Sequence, residues 1–308
     1  MYSYTVIQWL FFFYFYSFFG WCFESTYVSI KNRKPVNRGF LRGPFLPLYG
    51  SGGIMMLVVS MPFQDNVWLV YLAGVVGATI LEYVTGVTME TLFKVRYWDY
   101  SKNKFNFQGH ICLGSSLVWG LLTIFMTEFL HKPVERMALA IPEPWLNVIT
   151  LFLTAVIWSD FALSFKAAMD LRDVLVRMEK AKQEMLRIQK RLDVIIALTN
   201  EDISNRREEW SENIEMRMED VKESIEGRLE RLKNLTMTRP GEHWEGVRGE
   251  LGELRDKYMQ SLADRERLSN LRDMFQRHLI RSNPSMNSLR FKEALEELKE
   301  RANERRKK

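Results

Sequence analysis

The chain has 308 residues, 47% of them hydrophobic and 26% charged, and a formal net charge of +5. Residues 1–165 hold 11 Lys or Arg and 9 Asp or Glu, while residues 166–308 hold the other 32 and 29. This uneven division excludes a single soluble core, which would draw on the whole chain, and the balance of charge in both parts excludes nucleic acid as a partner. We predict a transmembrane domain over 1–165 and a cytosolic helical and coiled-coil domain over 166–308.

The first part contains five apolar stretches, and a membrane-spanning helix needs about 20 mainly apolar residues. We therefore predict an all-α, polytopic membrane bundle of about five spans. The second stretch begins among Pro47, Gly50, Gly52 and Gly53, so its start is also consistent with a re-entrant or unwound segment. The five stretches are residues 4–30, 45–63, 67–93, 111–130 and 145–165.

Lys and Arg in the short loops predict the orientation of the spans, because cytosolic loops carry the excess of positive residues. Residues 31–42 hold five of them, the loop after the second span holds none, and residues 94–104 hold four. After the fourth span we expect a loop that carries Lys132 and Arg136. The N-terminus is then outside and the C-terminal domain is cytosolic. No positive residue precedes the first apolar stretch, so we expect it to be retained as a span.

A heptad pattern of apolar residues begins at Leu171 and is typical of a coiled coil. Such a seam pairs helices within one chain or between chains, so a homo-oligomer through the seam from Leu171 to Ile195 is one expectation. The charges on these helices are interpreted as a solvated face. The seam positions are Leu171, Val174, Met178, Ala181, Met185, Ile188, Leu192 and Ile195.

Two further helical stretches follow the seam. The first has Ile214 as its first apolar position and ends at Arg239-Pro240-Gly241, since Pro and Gly together break a helix. The second begins at Trp244 and is expected to continue through Leu271 and Phe275.

Ser282-Asn283-Pro284 is expected to break this last stretch. Ser285 or Asn287 is then available to cap a short final helix. The basic end of the chain, residues 301–308, is expected to fray.

Three glutamates lie in the predicted spans, where an ionisable group is costly and is a functional hypothesis by default. At about 1.5 Å per residue, Glu24 and Glu90 lie near the cytosolic boundary, and Glu82 lies some two turns deeper. The partners that we expect for Glu82 and Glu90 are Arg38, Arg42 and His110.

Gly74, Ala78, Glu82, Gly86 and Glu90 are each four residues apart and therefore share one ridge of the third span. Small residues allow neighbouring helices to approach closely, so the carboxylates should point into a helix contact rather than at lipid. Two interpretations stay open: an ion-paired structural lock, or a cytosol-facing cavity for an anion, a proton or a lipid headgroup.

The sequence contains no GxxxxGK[ST] phosphate-binding loop, no HExxH and no GxSxG motif. The chain therefore does not hydrolyse nucleotide through such a loop. The lack of a recognisable catalytic motif also argues against an enzyme. Its two cysteines, Cys22 and Cys112, predict neither a disulfide framework nor a metal site, and we expect no cofactor.

Four blocks of the sequence resemble those of a bacterial ABC-transporter permease family (type IV, CmpB-like). The resemblance covers about residues 8–165 and leaves out the helical tail. The blocks are Phe19-Gly20-Trp21-Cys22-Phe23-Glu24, Asn37-Arg38-Gly39-Phe40-Leu41-Arg42-Gly43-Pro44, Leu81-Glu82-Tyr83-Val84-Thr85-Gly86, and Tyr97-Trp98-Asp99-Tyr100 with Phe105-Asn106-Phe107-Gln108-Gly109-His110.

The resemblance implies a permease-like transport component of the bacterial inner membrane that contacts membrane lipids. The chain lacks an ATPase module, so this role implies a separate ATP-hydrolysing subunit. For the solute we expect an anionic or amphiphilic molecule. The candidate binding residues are Glu24, Arg38, Arg42, Glu82, Glu90, Asp99 and His110, and we predict that they form one cytosol-facing cluster.

Two other functions stay open. A membrane scaffold or sensor would use the coiled-coil tail for assembly, and it would tolerate Glu82→Gln as long as packing survives. A lipid-modifying membrane enzyme would use Glu82 or Asp99 as acid or base, and it would need a closed pocket. A transporter would instead need an accessible cavity that connects the two sides.

Overall fold

The structure is a computed structural model that describes residues 4–199, 217–237, 242–271 and 273–304. Its first helix, α1, spans Val6–Asn32 and begins with a capping box in which Thr5 and Gln8 each accept a backbone N–H of the other. It ends where Arg33 adopts a left-handed conformation with φ 52°, and the Arg33 N–H bonds the Ile30 carbonyl. Its 27 residues are enough to cross a bilayer.

The segment between Arg33 and the second helix enters the bundle before helix α2, Pro47–Ser60, begins. Leu41 is fully buried and belongs to the same buried cluster as Tyr14, the ninth residue of α1. At Gly50 of α2, an added Cβ would lie 2.5 Å from the Phe13 carbonyl oxygen, so only glycine permits this approach. The Gly- and Pro-rich start of α2 is thus helical from Pro47 onward and packs closely against α1, and it is not an unwound segment.

Four helices in the described part of the chain are long and apolar enough to span a membrane, and their ranges are Val6–Asn32, Val67–Phe93, Leu113–Ala140 and Glu143–Ala197. Helix α2 and the 3-10 turn Met61–Phe63 that follows it form a shorter apolar element. The all-α membrane bundle is therefore confirmed, while a fifth crossing through α2 stays a prediction.

Helix α3, Val67–Phe93, packs closely on helix α4, Leu113–Phe125. A Cβ added at Gly74 would lie 2.2 Å from Thr123 Oγ1 of α4. The expected ridge is confirmed as a packed face, because four of its five members are buried. These four are Gly74, Ala78, Glu82 and Gly86.

A two-stranded hairpin precedes α4 and is the only sheet in the described residues. Strands β1, Asn106–Phe107, and β2, Ile111–Cys112, are antiparallel. The turn between them uses Gly109 at φ +75°, a conformation that glycine adopts at low cost. This hairpin places His110 beside the end of α3.

We expected a loop after the fourth apolar stretch, but the chain remains helical there. A π-helical turn, Met126–Leu130, leads directly into helix α5, His131–Ala140, so Lys132 and Arg136 lie on a helix and not in a loop. Pro133 has no N–H to donate, and the wider turn just before it accommodates the missing bond. Lys132 Nζ pairs with Glu128 across one turn at 2.7 Å.

One uninterrupted helix, α6, spans Glu143–Thr199 and contains both the last apolar stretch and the heptad seam. Helices α7, Met218–Met237, and α8, Glu242–Ser269, cover the seam, so its apolar face is buried within the chain. A homo-oligomer through the seam stays a prediction. The shared core contains Met185, Ile188, Leu192, Ile195, Val221, Ile225, Leu254 and Tyr258. Ile214, the break at 239–241 and residues 305–308 of the basic end lie outside the described residues.

The last stretch is two helices where we expected one. Helix α8 ends at Ser269 and helix α9, Met274–Ser282, starts anew, so the continuation through Leu271 and Phe275 is wrong. The reason is the cap: Asp273 Oδ1 accepts the Phe275 N–H at 2.7 Å, which is the geometry of a helix start. The break after Ser282 is confirmed, and helix α10, Lys292–Glu304, follows.

The chain forms two compact units. The first combines Met1–Arg172 with Arg272–Lys292 and Ala302–Lys308, and the second contains Asp173–Leu271 and Glu293–Arg301. The division into a membrane domain over 1–165 and a cytosolic domain over 166–308 stays a prediction. Part of the tail, however, belongs to the same compact unit as the apolar helices.

We expect Gly74→Ala to lower the free energy of unfolding by about 1–3 kcal/mol, because the new methyl group overlaps Thr123. Thermal unfolding of the purified chain in detergent measures the effect. The control is Gly114→Ala, where a Cβ would meet nothing within 4 Å. Equal stability of both variants would contradict the close contact of α3 and α4.

Candidate functional site

Arg38 lies in the segment between α1 and α2 and reaches back to α1. Its Nε is 3.5 Å from Glu24 Oε1, and its backbone N–H donates to Ser25 Oγ at 3.1 Å. The other oxygen of Glu24 accepts the Tyr49 hydroxyl at 2.8 Å. Both charged side chains are largely shielded from solvent, with 12% of the Arg38 side chain and 24% of Glu24 exposed. Glu24 thus has a cation and a hydroxyl donor, and it binds α1 to the start of α2.

The guanidinium of Arg38 also binds the part of the tail that joins the first compact unit. We call residues 273–291 the C-terminal segment. Arg38 Nη1 donates to Asn283 Oδ1 at 2.7 Å, and Nη2 donates to Ser285 Oγ at 3.3 Å and to the Tyr97 carbonyl at 3.4 Å. Asn283 is fixed in turn, since its Nδ2 donates to the Gly39 carbonyl at 2.9 Å. Arg38 therefore holds two loops and the C-terminal segment together.

The C-terminal segment also pairs with the loop after α3. Asn287 and Arg96 exchange two backbone hydrogen bonds, at 2.7 and 2.9 Å, as in an antiparallel bridge. Ser288 Oγ donates to the Lys94 carbonyl at 2.7 Å and accepts the Phe291 N–H at 3.1 Å. Ser285 and Asn287, which we had expected to cap the last helix, bind the loops instead.

Arg96 is the cation of a second ion-pair group. Its Nε is 2.8 Å from Glu90 Oε2 and its Nη1 is 3.6 Å from Asp99 Oδ1. The same Glu90 oxygen lies 3.1 Å from His110 Nε2. Gly86 provides the space for this ring, because a Cβ there would lie 2.9 Å from His110 Nδ1. The group connects the end of α3 to the hairpin.

The environment shifts the pKa values of two members of this group. Burial lowers the pKa of His110, and Arg96 lowers it further, against the opposing charges of Glu90 and Asp99. Desolvation raises the pKa of Asp99, but hydrogen bonds from Ser101 and Asn287 and the charge of Arg96 outweigh it, so the net shift is downward. At neutral pH the His110 ring is therefore neutral and Asp99 is ionised.

Glu82 differs from the other carboxylates because its partners are all uncharged. Its Oε1 accepts the Tyr100 hydroxyl at 3.0 Å, and its Oε2 accepts Trp119 Nε1 at 3.1 Å and Ser115 Oγ at 3.4 Å. Its exposed fraction is 7%, and the described residues include no ion-pair partner for it. The hydroxyl hydrogen of Ser115 also has the Cys112 carbonyl as an acceptor at 2.9 Å, so the closest donors to the Glu82 carboxyl group are those of Tyr100 and Trp119.

The buried hydroxyl of Tyr97, whose backbone carbonyl accepts a hydrogen bond from Arg38, has an open hydrogen-bonding position. Tyr97 is 6% exposed, and its hydroxyl has no partner among the described residues. Burial raises the pKa of this hydroxyl, and the positive charge of Arg38 opposes the shift. A buried polar atom without a partner is unusual and costs about 1–3 kcal/mol. The hydroxyl is thus available to an added hydrogen-bonding group.

The structure contains one expected pair, Glu90 with His110, and corrects the other expected pairings. Glu24 is paired with Arg38, and Glu90 with Arg96 and His110. Arg42 pairs with none of them: its guanidinium carbon lies 4.5 Å from the ring centre of Phe275 in the C-terminal segment. The seven candidate residues therefore fall into separate contact groups, and their assembly into one functional cluster stays a prediction.

Sequence reasoning missed several members of these groups. Arg96 was counted only as a loop charge, although its position six residues after Glu90 was a usable signal. Tyr100 and Trp119 carry the donors for Glu82, but no local pattern connects them to it. Asn283 was interpreted only as part of a helix break. Its contact with Arg38 joins residues 245 positions apart, which a single sequence does not reveal.

The family described as "Putative ABC-transporter type IV" (ABC_trans_CmpB) matches residues 11–165, half of the chain. The chain belongs to this family. No curated protein and no solved structure matches it. Together with its apolar helices, membership of the ABC_trans_CmpB family makes the chain a multi-pass membrane protein related to transport. The matched range contains every candidate residue, whereas the C-terminal segment lies outside it.

We expect Arg38→Gln to release the C-terminal segment. Breaking a largely buried ion pair costs about 3–5 kcal/mol, so hydrogen exchange at the Asn287 amide, which bonds the Arg96 carbonyl, should become at least tenfold faster. Arg42→Gln is the control, because a cation–π contact contributes only about 0.5–1 kcal/mol at exposed sites. If both variants keep the protection of the parent chain, Arg38 does not hold the segment.

Acid should destabilise the fold through His110. Its pKa in the folded chain lies below its ordinary value of 6.5, so the unfolded chain binds more protons as the pH falls through that value, and stability is lost. Thermal unfolding at pH 7.5 and at pH 5.5 should show a smaller loss for His110→Gln than for the parent chain. An identical loss in both would show that His110 does not contribute.

Proposed function

We propose that the chain is a permease-like subunit of a transporter in the bacterial inner membrane, with its helical tail in the cytosol. Membership of the ABC_trans_CmpB family and four span-length apolar helices support the transport role. The sequence has no phosphate-binding loop, so ATP hydrolysis requires a separate subunit. The loops at residues 31–42 and 94–104, rich in Lys and Arg, support a cytosolic location for the candidate site.

The observation that carries the proposal is Glu82. A carboxylate within a spanning helix is costly, and such groups in membrane proteins mark paths for solutes, ions or protons. A structural lock would pair it with a cation, as Arg96 pairs with Glu90. Neutral donors of Tyr100 and Trp119 hold the Glu82 carboxyl group in place, and no cation among the described residues pairs with it. This arrangement suits a group whose charge takes part in transport.

For an anionic or amphiphilic solute, the receiving groups would be Arg38 and the Tyr97 hydroxyl. Arg38 bonds Asn283 and Ser285, which are neutral acceptors, and an anion competes well with neutral acceptors for a guanidinium. The open position at the Tyr97 hydroxyl offers a further hydrogen bond. Glu24 would keep the guanidinium oriented while these bonds exchange.

A scaffold or sensor is the second candidate function, and the contacts of the C-terminal segment favour it. This segment bonds the segment before α2 through Arg38 and the loop after α3 through Asn287. A partner that pulls on the tail would therefore act directly on both loops. In this role Glu82 is only a packing residue, so the two functions differ in their response to Glu82→Gln.

The first test is purification of the tagged full chain from its native membrane. We expect an ATP-hydrolysing subunit to co-purify in constant ratio and the complex to hydrolyse ATP. Recovery of the intact chain without such a subunit would contradict the ABC-type role.

The second test is Glu82→Gln in the same complex. Gln keeps the shape but removes the charge, and a hydrogen bond to a charged group contributes about 1.5–3 kcal/mol, so we expect ATP hydrolysis to fall about tenfold with the complex intact. Glu128→Gln is the matched control, because Glu128 is exposed and its ion-pair partner in the described part of the chain is Lys132. Full activity of Glu82→Gln would favour the scaffold.

A further inference from the structure

A small basic cavity lies at the end of α1, away from Glu82 and Glu90. Its volume is about 80 Å³. Lys34 and Arg281 contribute positive charge to it, and none of the lining residues is acidic. The lining residues are Lys34, Pro35, Val36, Asn37, His278, Arg281, Ser282 and Asn303.

The two cations of this cavity have hydrogen-bond donors that no described residue uses. Lys34 is exposed and has no ion-pair partner among the described residues. Arg281 donates from Nε and Nη2 to the Ala302 carbonyl, and within the described chain its Nη1 is not used. Since a phosphate oxygen accepts from both ammonium and guanidinium groups, the cavity matches a phosphate group in charge and chemistry.

An apolar stripe runs along α1 and ends at Ile30, four residues before Lys34 of the cavity. Phe19, Phe23, Tyr27 and Ile30 are spaced by four, four and three residues, so they lie on one helix face. Each is more than half exposed. The stripe extends over 11 residue steps from Phe19 to Ile30, which at about 1.5 Å per step is about 16 Å. One leaflet of the hydrocarbon core is about 15 Å thick, half of the total.

We propose that this surface binds an anionic phospholipid, with its phosphate in the cavity at Lys34 and Arg281 and an acyl chain along Phe19, Phe23, Tyr27 and Ile30. The apolar stripe distinguishes the lipid from free phosphate, which would use only the cavity. The cavity is lined by residues that follow the end of α1 and by residues of α9. The lipid therefore also contacts the C-terminal segment. This binding is independent of the proposed transport role.

Native mass spectrometry of the full chain in detergent tests the proposal, with phosphatidylglycerol and phosphatidylcholine as probes. We expect phosphatidylglycerol to bind more tightly. Lys34→Gln should weaken this binding about fivefold, because a basic residue near anionic lipid contributes about 1 kcal/mol. The matched control is Lys104→Gln, which removes the same charge from an exposed loop residue that does not line the cavity.

Three outcomes would overturn the proposal. The first is equal binding of both lipids, and the second is an equal effect of Lys34→Gln and Lys104→Gln. The third is complete displacement of phosphatidylglycerol by inorganic phosphate at the same concentration, which would assign the cavity to a free anion. Phe23→Ala distinguishes the binding of a phospholipid from the binding of free phosphate. It should weaken lipid binding while leaving any binding of inorganic phosphate unchanged.

Discussion

The first compact unit depends on the guanidinium of Arg38. This guanidinium is largely shielded from water, so its charge must be compensated within the protein. Removal of a partner would leave a buried charge uncompensated and would destabilise the fold. Glu24 supplies the negative charge, while Asn283, Ser285 and the Tyr97 carbonyl accept its other hydrogens. One side chain thereby fixes the segment before α2, the loop after α3 and the C-terminal segment.

The sequence predicts those features of the fold that depend on composition and on the regular spacing of apolar residues. Apolar length identified the spanning helices, and the heptad spacing from Leu171 identified a face that the structure buries. The same reasoning singled out Glu24, Glu82 and Glu90, because a charge within an apolar stretch is conspicuous. The same reasoning failed where an ion pair depends on backbone geometry. Lys94, with φ 60°, turns the chain so that Arg96 rather than Arg42 pairs with Glu90.

The contacts of the C-terminal segment were beyond the reach of local patterns. Ser285 and Asn287 have the composition of helix caps, yet they bond loops that precede them by almost 190 residues. The family match ends at residue 165, so this segment lies outside the matched range. Its bonds to both loops connect the C-terminal segment to Arg38 and Asp99 of the candidate site. Glu82, which has neutral partners among the described residues, lies eight residues before Glu90 on α3.

The central claim is that Arg38 and the C-terminal segment are energetically coupled, and a double-mutant cycle of Arg38→Gln and Asn283→Ala tests it most directly. Unfolding free energies of the four proteins in detergent give the coupling energy. A hydrogen bond to a charged group contributes about 1.5–3 kcal/mol, and we predict a coupling energy in this range. Additivity within about 0.5 kcal/mol would contradict the account.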